Sequence, residues 1–94
     1  MNASRRYEIL LPLKFNDGES VPESYLVDSI SELERNFQTQ VMRGDSHDHK
    51  FTRVFLNVPD TVGNREFFLQ LKQKLKVKFQ QSDIWLTSYS IEIL

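Results

Sequence analysis

Strict two-residue alternation recurs along this chain, and between the alternating stretches lie two helical stripes. Tyr7, Ile9, Leu11, Leu13 and Phe15 alternate with Arg6, Glu8, Pro12 and Lys14, the pattern of a strand with one buried face and one open face. Val54, Leu56 and Val58 repeat it against Phe51, Arg53, Phe55 and Asn57, and residues 84–94 carry Trp85, Tyr89, Ile91 and Ile93. Leu26, Ile30, Leu33 and Phe37 fall within roughly 60° of arc at about 100° per residue, and Phe68, Leu71, Leu75 and Phe79 within about 80°. Each set is a single buried stripe, narrow enough to rest on one surface. A short polar segment at residues 39–43 reads as an edge strand. The order is therefore strand, helix, strand, strand, helix, strand.

Boundary signals fill in the rest. The first strand is expected over residues 6–15, ending at Asn16-Asp17-Gly18, a turn sequence. Ser20-Val21-Pro22-Glu23 has the form of a capping box for the first helix. Asn36 is the expected left-handed stop. Residues 44–50 form a hairpin loop, residues 51–58 the third strand, and Pro59 ends it. Asp60 or Thr61 caps the second helix.

This β-α-β-β-α-β order predicts a ferredoxin-like α+β domain, a two-layer sandwich spanning residues 1–94. Right-handed crossovers put both helices on one face of a four-stranded antiparallel sheet, with strand order fourth, first, third, second. One residue conflicts with the scheme. Pro12 lacks an N–H, yet the first strand is central and paired on both sides. Either a bulge lies there or the strand outruns one neighbour.

Composition narrows the function classes. The net charge of −1 argues against a chain built to hold a phosphate backbone. With no cysteine, disulfides, thiol catalysis and thiolate metal sites are excluded. No apolar signal segment leads into the first strand, and no apolar run approaches the roughly 20 residues of a membrane span. The expectation is a cytoplasmic protein without a cofactor.

Residues 6–18, Arg6-Tyr7-Glu8-Ile9-Leu10-Leu11-Pro12-Leu13-Lys14-Phe15-Asn16-Asp17-Gly18, resemble the opening of a family of small uncharacterised bacterial proteins of similar length. The resemblance extends to Arg53-Val54-Phe55-Leu56-Asn57-Val58-Pro59-Asp60-Thr61, to Asn64-Arg65-Glu66-Phe67-Phe68 and to Asp83-Ile84-Trp85, and so covers most of the chain. The region from 44 to 51 is shorter here than in those relatives. The resemblance implies a stand-alone bacterial domain. It carries no activity, and hence no catalytic or binding residue.

Four sets of residues are candidates for a site. In the loop, Asp45, His47 and His49 would point one way if extended, roughly 6–7 Å apart, offering an oxygen and two imidazoles to a metal; a solvated hairpin loop explains the same residues, so no metal is assigned. On the second helix, Arg65, Lys72 and Lys76 flank one edge of the buried stripe and Lys74 and Lys78 the other. Lysines there lay their methylenes along the core and keep the charge in water. The uncovered sheet face brings together Leu10, Phe51, Arg53 and Phe55, flanked by Glu8 and Lys14, with one of Trp85 or Ile84. Arginine among aromatics on such a face is found in RNA-recognition domains, but Lys50-Phe51-Thr52-Arg53-Val54-Phe55 lacks the small positions of their signature. The favoured reading is association: large apolar groups contiguous in water are covered by a second copy, in an isologous dimer. For chemistry there is no nucleophile–base pair and no glycine-rich phosphate loop. Glu8, Lys14, Arg53 and Asp83 could meet near a dimer cleft and transfer a proton, which leaves a small enzyme or ligand-binder as the third alternative.

Overall fold

The computed structural model describes residues 3–94; Met1 and Asn2, the head of the stretch read as lacking a signal segment, lie outside them. Period-two segments become β1 (Ser4–Pro12), β2 (Met42–Asp45), β3 (Phe51–Pro59) and β4 (Trp85–Ile91), and the two stripes become α1 (Glu23–Phe37) and α2 (Val62–Lys78). The sheet is antiparallel throughout, in the order β2-β3-β1-β4. The fold is the ferredoxin-like α+β sandwich that the element order predicts.

Both helices cover the same face. Tyr7, Ile9 and Leu11 of β1 and Val54, Leu56 and Val58 of β3 are buried in one cluster with Leu26 and Leu33 of α1 and Phe68, Leu71 and Leu75 of α2. An aromatic stack ties the layers together. The Phe68 ring lies 3.9 Å from that of Tyr7 at an interplanar angle of 6°. Phe37, from the last turn of α1, stacks on Phe68 at 5.3 Å and 11°. One ring of α2 thus contacts the central strand and the other helix, and the Phe37–Phe68 pair adds about 0.5–1.5 kcal/mol to the burial itself.

Pro12 fits because β1 outruns one neighbour. Its pairing with β4 runs only from Ser4–Ile91 to Leu10–Trp85, whereas its pairing with β3 continues to Pro12–Phe51. The missing N–H therefore falls where β4 has not yet begun.

Several local expectations need correction. β1 stops at Pro12 rather than residue 15, and Leu13 is 41% exposed. Phe15 instead packs edge-on against Tyr25. The capping box does not form: Pro22 is the N-cap, without a side-chain hydrogen bond, because Ser20 is drawn into a β-bridge with Lys14. α1 passes Asn36, whose side-chain amide donates to the Glu32 carbonyl one turn back, and ends at Gln38 in the left-handed conformation. The two extra residues carry Phe37 to its stack. β2 starts three residues later than expected and takes Gly44 and Asp45 from the loop. Thr61 does cap α2, accepting the Asn64 N–H at 3.0 Å. No helix of the described residues is long and apolar enough to cross a membrane.

The Tyr7 hydroxyl is buried and finds no hydrogen-bond partner among the described residues. An unpaired buried hydroxyl costs about 1–3 kcal/mol, so Tyr7→Phe is expected to keep or raise the melting temperature. Phe68→Ala is expected to cost about 3–5 kcal/mol in urea unfolding. A Tyr7→Phe loss as large as that of Phe68→Ala would contradict this account of the core.

Candidate functional site: the uncovered sheet face

The strand register decides which side chains share the open face. Cross-strand partners point the same way, so β1 presents Arg6, Glu8 and Leu10, opposite Asn57, Phe55 and Arg53 of β3 and Tyr89, Thr87 and Trp85 of β4. Met42 of β2 lies opposite Phe55. Trp85 is 62% exposed and Tyr89 47%, whereas Ile84 is buried, which answers which of the two residues faces outward.

The face is not uniformly apolar. Phe55 lies between two guanidinium groups, with Arg53 Cζ 4.7 Å and Arg6 Cζ 5.1 Å from its ring centroid. Arg53 Nη1 also donates to Glu8 Oε1 at 3.1 Å, diagonally across the strands, and Arg6 Nε donates to Asn57 Oδ1 at 2.8 Å. A half-exposed ion pair of this kind contributes about 0–1 kcal/mol. Its larger effect is to hold Arg53 over the ring, as the Asn57 side chain does for Arg6. A polar centre is therefore bordered by Leu10, Trp85 and Tyr89 on the β4 side and by Met42 on the β2 side.

The residues expected to share this face divide. Leu10, Glu8, Arg53 and Phe55 are together, and Phe51 lies at the end of the same row. Lys14 lies beyond β1, bridged to Ser20. Asp83 is on the helix side, its carboxylate 3.2 Å from Lys72 Nζ, so the grouping of Glu8, Lys14, Arg53 and Asp83 does not form within the chain. Arg6, Met42 and Tyr89 also belong to the face. Counting in twos finds Tyr89 from Trp85 and Arg6 from Glu8; the nearness of Arg6 to Phe55, and the place of Met42, need the register.

The remaining candidates are occupied by structure. The loop with Asp45, His47 and His49 is a turn rather than an extended segment: His49 has φ +59°, its N–H donates to the Ser46 carbonyl, and Asp48 accepts from Ser46 Oγ and the Lys50 N–H. Those bonds hold the Asp48 carboxyl below the usual carboxylate range. Among the described residues, no three His, Asp or Glu side chains gather where they could hold a metal ion. On α2, Lys74 Nζ is 4.0 Å from Glu32 of α1, and Lys78 lies over the Tyr25 ring at 5.4 Å. These lysines brace the helix layer rather than form a free basic patch.

No family model, curated protein or solved structure matches the chain.

One acid–base contact has a measurable consequence. Hydrogen bonds from Lys72 and from the Ile84 N–H hold the Asp83 carboxyl below its ordinary value. A depressed carboxyl stabilises the fold above its unfolded value, and that stabilisation is lost as pH falls through the folded one. Asp83→Asn is therefore expected to lower the melting temperature at neutral pH, with the gap to the parent closing on acidification below about pH 4. A gap independent of pH would contradict the Lys72–Asp83 contact.

Proposed function

We propose that the protein is a small cytoplasmic association module of bacterial type, whose uncovered sheet face docks a second copy of itself. The observation that carries this reading is the composition of the face: Trp85, Tyr89, Phe55, Met42, Arg6 and Arg53 are brought to one surface by the register. Aromatics, Met and Arg are the residues enriched in protein interfaces, and Trp, Tyr and Arg dominate their binding energy. Both charge signs are present as well. A two-fold axis can set Arg6 of one copy against Glu8 of the other, while Leu10 and Trp85 lose their water. Sheets packed in this way lie about 10 Å apart.

A second reading rests on a different observation. Trp85 and Tyr89 protrude two places apart on one face of β4, with Arg6 directly opposite Tyr89, an arrangement on which single-stranded bases could stack. Against it, Glu8 sits at the centre of the face, and the chain's net charge is −1. Phe55 already has its own arginines against it. Of the two arginines, Arg53 is paired with Glu8 and so is less available to a phosphate.

Sedimentation equilibrium at micromolar protein is expected to show a dimer. Phe55→Glu, which sets a carboxylate between two guanidiniums, is expected to raise the dimer dissociation constant at least about tenfold, with the circular dichroism spectrum unchanged. A monomeric parent protein that binds heparin in a salt-dependent way would overturn the proposal in favour of nucleic acid. A monomeric parent without such binding would overturn both.

A further inference from the structure

At the end of β1 just past the Leu10–Trp85 pair, the strand outruns β4 and the chain turns back through two loops. The Leu13 N–H donates to the Lys50 carbonyl and the Val21 N–H to the Leu13 carbonyl, which fixes the β1–α1 connection against the β2–β3 turn. Between them lies a cleft of about 540 Å³ whose walls include Pro12, Leu13, Phe51, Lys14, His49 and Lys50. That volume is within the roughly 300–1,000 Å³ of small-molecule sites, which are mostly apolar with a few placed polar groups.

The division of charge there is one-sided. Lys14 and Lys50 line the cleft and, among the described residues, neither forms an ion pair. The acids of the same two loops lie elsewhere. Asp17 accepts the Glu19 N–H within its own turn, and Asp48 is taken by Ser46 Oγ and the Lys50 N–H; none of Asp17, Glu19 or Asp48 is part of the lining. The walls are also held in place before any ligand arrives. The Asp48 turn sets the backbone of His49 and Lys50, Phe51 donates its N–H to Ser46 Oγ, and the side-chain amide of Asn16 donates to the Gln80 carbonyl. A preorganised cleft whose lining combines Pro12, Leu13 and Phe51 with two lysines outside any ion pair, and with Ser20 and Gln81, suits a ligand with an apolar body and one negative end.

We infer that this cleft binds a small carboxylic acid with an aromatic or short aliphatic body, the carboxylate between Lys14 and Lys50 and the body against Pro12, Leu13 and Phe51. The inference does not depend on the sheet-face reading.

Benzoate titrated into the 15N-labelled full chain provides the test, with benzyl alcohol as the neutral counterpart. Benzoate is expected to produce saturable shifts in the amides of Leu13, Lys14, His49, Lys50 and Phe51. Benzyl alcohol is expected to bind at least about tenfold more weakly, as is benzoate to the Lys14→Gln/Lys50→Gln double variant. Both lysines are exposed, so that variant keeps the core. The Phe55→Glu protein is expected to bind benzoate like the parent. Equal affinity for benzyl alcohol, shifts centred on Arg6 and Tyr89 at the far end of the sheet, or no saturation at millimolar benzoate would each overturn the assignment.

Discussion

The Phe68 ring is the contact on which the rest of the structure depends. It is fully buried, parallel to Tyr7 of the central strand on one side and to Phe37 of α1 on the other. A four-stranded sheet of this size cannot stay folded on its strand pairing alone; it needs an apolar layer against one face. Here three rings from three elements supply the centre of that layer, and Leu71, Leu75 and Leu33 extend it. The stack also sets where α1 must end, because Phe37 reaches Phe68 only if the helix runs past Asn36.

From that one-sided clamp follows the character of the opposite face. With both helices committed to the Tyr7 side, no helix or strand among the described residues covers Trp85, Leu10 and Phe55. The chain softens this exposure by laying Arg6 and Arg53 over Phe55 and tying Arg53 to Glu8. The result is a surface both aromatic and charged. The overhang of β1 beyond β4 has a second consequence. It frees Pro12 from double pairing and opens the cleft between the two loops at that end.

How much of this was legible depends on the strength of each local signal. The stripes Phe68-Leu71-Leu75-Phe79 and Val54-Leu56-Val58 were plain because every member is buried and the period is unbroken. β2 was displaced because a four-residue edge strand with Met, Arg, Gly and Asp shows no period, and the buried Val41 just before it attracted the assignment. The cap was misplaced because a serine that looks like an N-cap can equally pair in a bridge, and Ser20 does so with Lys14. On the open face, Leu10, Glu8, Arg53 and Phe55 followed from alternation along single strands. Arg6 beside Phe55 did not, since it depends on the register between strands. The histidine loop looked extended in sequence; the hydrogen bonds of Asp48 and Ser46 curl it.

The chain's single tryptophan, Trp85, sits on the bare face, so its fluorescence reports directly whether that face is covered. The account predicts a blue-shifted emission at high micromolar protein, moving to the red of a solvated indole on dilution to nanomolar concentration while far-ultraviolet circular dichroism stays constant. Emission fixed at the solvated position across the whole range would mean that nothing covers the face, and would contradict the account.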